Sequence, residues 1–576
     1  MSQPIEPPVE QLDDNNFRPP CRASEPIIKL SIINFHNNSV PVPDCLIPHD
    51  NLESSFGIAN IHMRDEIPIT SEIHFSFTID RSGSMSQPGE DGRTKMEHII
   101  HTLENMLRIF HKKNTKISVR VQSFDSDVYV DVETVEYLGQ KSQIELEAII
   151  AKVHQISPGG TTNIEKAIIA SNKHIDAYIE QHPLAHVAHI FLTDGEISEG
   201  SANKELLKSL VSKKYPNIFM GYGLDHDAHL LKSLASTGLH NEYRFIDNLE
   251  KAGLVYGEVI HQLLYPALND ATLLAEGCEL YNYSTNTWIA QLDVGNLVSE
   301  QHKIFHIRST TPNHAQIAIY GRTIHQTKYK EKLSNEIEFQ THALPVKIIV
   351  FKNDLTNYLF RQRTQEYLFA TNALLERQYE LDHKTIDPFS KYSMYYQPDP
   401  DKNKKADDFQ KFKNEKDQLK QQMKDFFKIM LDHIACKNLK EDAFFKTLCD
   451  DMYIALKSFD TQHGMMYAAA RQTSQGRQQT YCSIPLSQLR EDPVKKDDSN
   501  DDDDLPPVPP RLTRCVSNIP SRQPDDLDLD YTLSQRQTSG YSSIGVLKMM
   551  RDVSYHPPTE EVTGLSIDLP SDLDLP

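Results

Sequence analysis

From Glu72 to about Leu264, apolar runs of strand length alternate with amphipathic stretches of helix length, and this alternation limits the fold more than any other feature of the chain. IHFSFTID has the length of a buried strand, and the stretch after it sets Met96, Ile99, Ile100, Leu103, Leu107 and Phe110 at spacings of three and four, one face of a helix. KISVRVQSF and HVAHIFLTD repeat the strand pattern, with SQIELEAIIAKVHQI and NIEKAIIASNKHIDAYI as helices between them. ELLKSLVSKKY, NIFMGYG, DAHLLKSLAS, EYRFI and NLEKAGLVYGEVIHQLL continue the series. Strands separated by helices need crossover connections, so a doubly wound α/β domain with a mainly parallel sheet, covered on both faces, is expected over 72–264.

The flanks follow other rules. Positions 265–353 hold short alternating segments such as TWIAQLDVG, HKIFHIRS and QIAIYG, which predict an antiparallel β-sandwich. Positions 26–71, including IIKLSIINF, read as further strands that join the same sandwich. Helical spacing returns over 354–473, where Phe409, Phe412, Leu419, Met423, Phe426, Met430 and Ile434 form a stripe interrupted by Lys416; a helical hairpin or bundle with a charged outer face is expected. The leader, 1–25, and the tail, 474–576, carry too few core-forming residues to pack, and both are expected to be disordered.

Charge and cysteine usage exclude several classes. The net charge is −21, and from Glu491 to Pro576 there are 18 acidic against 8 basic side chains, so a general nucleic-acid-binding role is disfavoured. No apolar run approaches the roughly 18 residues that span a bilayer. The seven cysteines are too widely spaced for a zinc knuckle or a dense disulfide framework, which suits a reducing interior. The first residues, MSQPIEPPVEQLDDNNF, lack a basic segment followed by an apolar one, so a cytoplasmic location is expected, although a tail of this composition is also compatible with an address for specialised export.

The chemistry concentrates in three loops that a doubly wound sheet brings to the carboxyl ends of its strands, where ligands collect. Asp80-Arg81-Ser82-Gly83-Ser84 follows the first strand, Ser157 to Asn163 (SPGGTTN) opens a helix, and Thr193-Asp194-Gly195-Glu196 closes HVAHIFLTD. Two carboxylates and three hydroxyls, with no thiol or imidazole among them, make a hard all-oxygen donor set that suits Mg²⁺ or Mn²⁺ rather than zinc or copper.

At these residues the sequence resembles the von Willebrand factor type A family, whose metal-ion-dependent adhesion site is Asp-x-Ser-x-Ser followed by a separate threonine and a separate aspartate. Asp80, Ser82 and Ser84 match the first part and Asp194 the last; Thr162 is the better match for the threonine, with Thr161 as the fallback. The resemblance implies a bound Mg²⁺, with Mn²⁺ or Ca²⁺ as substitutes, held directly by hydroxyls and partly through water by the aspartates. Neutral direct ligands leave the dication short of negative charge, so the resemblance further implies a protein partner that donates an acidic side chain. On this reading Asp80→Ala or Asp194→Ala abolishes partner binding and leaves the domain folded.

Other motifs are weaker. Gly221-x-Gly223 follows a strand but lacks a third glycine, and Asp225, His226, Asp227, His229 and His240 read as a solvated helix start rather than a metal cluster. Ser82 and Ser84 have no histidine placed to act as a base, and no catalytic motif occurs, so the protein is expected not to be an enzyme. In the tail, Pro506 to Arg511 satisfies PxxPxR, the pattern of a segment for an SH3-type partner, and Ile544, Leu547 and Met550 share one face of a short helix that would fold onto a partner. A scaffold or adaptor working through its metal site is the resulting expectation. The alternative is a regulatory or effector protein that works through its helical region and tail, with the α/β domain as a platform.

Overall fold

The computed structural model describes residues 28–36, 42–46, 55–63, 72–88, 92–113, 116–194, 197–223, 226–238, 240–246, 252–299, 302–322, 354–384, 402–440, 442–461 and 463–476, together with Val546, Met549, Met550, Asp552 and Val553. The leader, the PxxPxR segment, the NEIEFQTH and PVKIIVFK segments, and Ile544 and Leu547 of the tail lie outside the described residues.

The first two strands are β1 (Ile28–Phe35) and β2 (Ser55–Met63). The α/β domain then runs β3 (Ile73–Asp80), α1 (Lys95–Lys112), β4 (Ile117–Phe124), β5 (Val128–Val135), α2 (Gln143–Val153), α3 (Ile164–Gln181), β6 (His186–Thr193), α4 (Lys204–Leu210), β7 (Asn217–Tyr222), α5 (Ala228–Ala235), β8 (Glu242–Ile246) and α6 (Ala252–Leu264). Its six-stranded sheet has the order β5-β4-β3-β6-β7-β8. Every pairing is parallel except that of β4 with β5, the edge hairpin. The doubly wound, mainly parallel sheet expected from the alternation is therefore present.

Every residue of β3 is buried, yet the two sheet faces differ. Ile73, Phe75, Phe77 and Ile79 enter an apolar cluster with α1, α2 and α6. His74, Ser76 and Thr78 point the other way, towards α3. There Thr78 Oγ1 lies 2.9 Å from Ser171 Oγ and 2.9 Å from His189 Nε2, and Gln122 Nε2 donates to Ser171 Oγ at 2.7 Å. This network offsets the burial of Thr78, whereas the His74 ring is held by stacking on Tyr178. The helices start where side chains can satisfy their free N–H groups. Thr94 with Glu97 and Ser142 with Glu145 form capping boxes on α1 and α2, and Asn163 caps α3.

After α6 come β9 (Pro266–Glu276), β10 (Glu279–Asn282), β11 (Thr287–Ile289), β12 (Gln291–Val298), β13 (His302–Ser309) and β14 (Gln316–Arg322). They form two antiparallel sheets, β1-β2-β13-β10-β11 and β12-β9-β14. β2 pairs with β13 from Ser55↔Ser309 to His62↔His302, so strands from before the α/β domain complete a sheet built after it. Ile61, Leu268, Leu273, Phe305, Ile317 and Ile319 close the core between the sheets.

Helices α7 (Thr356–Lys384), α8 (Lys402–Cys436), α9 (Ala443–Ser458) and α10 (Gly464–Gly476) pack together and onto the outer face of the first sheet, through Phe56, Ile58 and Ile304. Six of the seven stripe residues are buried, but Phe409, expected in the stripe, is 57% exposed. It lies in the first turns of α8, outside the contact with its neighbours. Lys416 fits the apolar seam because its Nζ donates to the Phe459 carbonyl at 3.2 Å and sits over the Phe459 ring.

Candidate functional site

β3 and β6 are adjacent parallel strands, so Asp80 and Asp194 emerge side by side at their carboxyl ends. Asp80 is fully buried. Its Oδ1 accepts from the Ser82 N–H at 2.8 Å and its Oδ2 from Thr193 Oγ1 at 2.6 Å. Burial pushes its carboxyl up to about 6; the hydrogen bonds from Thr193 and Ser82 oppose that shift, and the nearby Asp194 adds to it. Ser82 Oγ and Ser84 Oγ are 3.0 Å apart, and Ser84 Oγ donates to Asp194 Oδ1 at 2.8 Å. Asp80, Ser82, Ser84 and Asp194 thus form one connected group of oxygens.

The threonine loop is tied to the same place through its backbone. The Gly83 N–H donates to the Gly160 carbonyl at 3.2 Å, and the Gly159 N–H donates to the Arg81 carbonyl at 2.7 Å. Gly160 has φ +75°, and a Cβ there would stand 2.9 Å from Asp125 Cβ, so glycine is required at this junction. Thr162 is buried, and its N–H donates to Ser198 Oγ at 2.8 Å. Thr161 is exposed and donates to Glu199 Oε2 at 2.5 Å, which favours Thr162 as the inward hydroxyl. Gly83, Gly160 and Thr161 leave the group open to solvent on one side.

Two residues here were missed from the sequence. Asp125, at the end of β4, is buried behind Gly160 with Arg81 Nε 3.5 Å from its Oδ2. Its position after a strand was the available signal. Lys95, the first residue of α1, is more consequential. Its Nζ donates to Asp194 Oδ2 at 2.7 Å, and both side chains are buried. A cation in the first helical turn opposes the helix dipole, and that mismatch was the clue in the sequence.

Asp194→Ala is expected to lower the stability of the domain as well as any cation affinity, because it removes the buried carboxylate that accepts from Lys95 Nζ. Asp80→Asn and the serine variants avoid that cost.

The histidine-rich stretch is not a solvated helix start. His226 is buried, with Nε2 2.7 Å from Tyr243 Oη. His240 Nε2 lies 2.6 Å from Asp270 Oδ1, and His229 stacks on Tyr379. Asp227 does cap α5, through the Leu230 N–H at 2.8 Å, while Asp225 lies outside the described residues. Gly221 and Gly223 form a turn closed over His226, whose ring leaves no room for a Cβ on Gly221.

A cleft of about 810 Å³ lies where the α/β domain, the sandwich and the helices meet, lined by Glu242, Arg244, Glu258, Tyr283, Lys303 and Gln472 among others. Arg244 pairs with Glu242 and stands 3.5 Å from Glu258. Burial raises Glu258 to about 7, against the pull of Arg244, and lowers Lys303 to about 8.

Among the described residues no helix is long and apolar enough to cross a membrane. No curated protein matches the chain. Solved structures of similar fold include a von Willebrand factor type A protein from Catenulispora acidiphila, 12% identical, covering 63% of this chain and 84% of that one with a TM-score of 0.41. Another is the ArnB paralog VWA2 from Sulfolobus acidocaldarius, 15% identical, covering 75% and 96% with a TM-score of 0.38. A third, the conserved hypothetical protein BatB from Bacteroides thetaiotaomicron, is 18% identical over 33% of this chain and 98% of that one, with a TM-score of 0.26. Residues 76–255, within the α/β unit, match the family described as the von Willebrand factor type A domain.

Proposed function

We propose that the type A domain recognises a protein partner through a divalent cation, Mg²⁺ or Mn²⁺ with Ca²⁺ as a substitute, held by Ser82, Ser84 and Thr162 with Asp80 and Asp194 behind them. The observation that carries this reading is the linked group of Asp80, Ser82, Ser84 and Asp194 at the open end of the sheet. The donor set is entirely oxygen, which fits a hard dication. When bound, the ion supplies a Lewis-acidic position for a carboxylate of the partner. The chain's own part is to fix that position: Thr193 and the Ser82 N–H orient Asp80, Ser84 orients Asp194, and the Gly83–Gly160 contact brings the threonine loop alongside. The work on this reading is binding rather than turnover, with the carboxylate of Asp194 holding the Ser84 hydroxyl in place for a cation.

The Lys95–Asp194 pair favours a second reading, in which a built-in ammonium already balances the site and the domain is a platform for the helices and tail. Partner capture by the intact chain separates the two. Capture that requires Mg²⁺, is lost in EDTA and falls at least tenfold in Ser84→Ala supports the metal reading. Capture indifferent to EDTA and to Ser84→Ala supports the platform. A scaffold or adaptor inside the cell is the setting we assign, a reading that suits the undisulfided Cys278, Cys436 and Cys449 among the described residues. An SH3-type partner for Pro506 to Arg511 rests on sequence spacing alone.

A further inference from the structure

Far along the chain, a short stretch returns to the α/β domain. Val546, Met549, Met550 and Val553 are all buried, and their spacing of i, i+3, i+4, i+7 is one stripe of a helix. Asp552, off that stripe, is exposed. Met549 and Val553 join the apolar cluster that α1 and α6 build under the sheet. Asn105 Nδ2 on α1 donates to the Val553 carbonyl at 2.8 Å. On α6, Gly257 lies so close that a Cβ there would stand 2.3 Å from Met550 Cα and 2.5 Å from its backbone nitrogen. Of the face expected through Ile544, Leu547 and Met550, Met550 is buried here, and Ile544 and Leu547 lie outside the described residues.

We propose that the α1–α6 groove is a binding site for a short amphipathic helix with apolar side chains at i, i+3, i+4 and i+7, and that Val546–Val553 is its resident, exchangeable ligand. The magnitudes support exchange. The burial of only four Val and Met side chains has to offset the conformational entropy lost in ordering the chain that carries them, so the attachment is marginal by itself. Tethering sustains it, since attachment within the same chain presents the segment to the groove at an effective concentration on the order of a millimolar or below. A competing helix of the same pattern, from another protein or a second copy, would need only micromolar affinity to displace it. The groove is formed partly by α1, whose first residue is Lys95, so occupancy and the oxygen group share one helix.

The test uses the full-length chain and a labelled peptide spanning Tyr541 to His556. Wild type, with its groove filled, is expected to bind the peptide weakly. Met549→Asp/Val553→Asp, which ejects the resident segment, is expected to bind it at least tenfold more tightly and to show faster amide exchange in α1 and α6. Adding Gly257→Leu to that variant is expected to abolish binding. Should Gly257→Leu fail to fold by circular dichroism, Asn105→Leu replaces it, with an expected loss of at least threefold. Equal peptide binding by wild type and the double variant, no binding by either, or binding untouched by the groove variants would each overturn the proposal.

Discussion

Lys95→Met is expected to tighten Mg²⁺ binding by at least two powers of ten. The Lys95 ammonium and a dication behind Asp194 would share one carboxylate. Like charges roughly 4–6 Å apart repel by about 3–4 kcal/mol per unit charge pair at an effective dielectric near 20, and methionine removes that repulsion while filling a similar volume. Without metal the same variant leaves Asp194 buried with no ammonium partner, so its thermal midpoint should fall below wild type and recover as Mg²⁺ is added. Isothermal titration and a melting series together check both halves. An affinity for Mg²⁺ no higher than wild type's would mean that Lys95 does not compete for the site.

Acidification is expected to destabilise the type A domain through histidines buried in the neutral state. Burial lowers His74 to about 3 and His174, His189 and His261 to about 4, with the positive charge of neighbouring groups adding to the shift for His74, His174 and His261. In the unfolded chain these side chains take up protons near pH 6.5. Below that pH the unfolded state binds more protons than the folded one, so stability falls as pH drops from about 6.5 towards 4. At pH 5 the well-buried His74, His189 and His261 each contribute a loss of about 2 kcal/mol, and the part-exposed His174 contributes less. Asp80 and Glu258 act in the opposite sense. Their folded values are raised to about 6 and 7, so on acidification they restore part of the loss. Four groups against two leave a net loss of several kcal/mol, a fall in melting temperature of roughly 10 °C between pH 7 and pH 5. His74→Phe, which keeps a ring against Tyr178, should flatten that dependence; a melting temperature constant over this range would contradict the assignment.

These results show where sequence reasoning had purchase. The α/β sheet was legible because its inner strands are buried along their full length and its helices carry regular apolar faces. The group of Asp80, Ser82, Ser84 and Asp194 was legible because each follows a strand of the sheet in fixed order, while Thr162 is tied to it only through the Gly83–Gly160 contact of its loop. What escaped were long-range contacts without a periodic signature. Lys95 meets Asp194 across 99 positions, and nothing within α1 says where its ammonium goes. IHFSFTID reads as a buried strand, but its periodicity does not reveal that His74, Ser76 and Thr78 face a polar layer under α3. The tail stripe sits in a setting of low complexity, and an eight-residue pattern supports more than one register; the groove selects Val546, Met549, Met550 and Val553 by shape. Phe409 belongs to the right period but lies beyond the partner surface.

The central claim is that five side-chain oxygens at the carboxyl end of this sheet hold one divalent cation. Electron paramagnetic resonance of the full-length chain titrated with Mn²⁺ tests it most directly. The account predicts a single bound Mn²⁺ per chain, tightened in Lys95→Met and lost in Asp80→Asn and in Ser82→Ala/Ser84→Ala while the fold persists. Mn²⁺ binding that is absent from both wild type and Lys95→Met, or that is unchanged by the aspartate and serine substitutions, would contradict it.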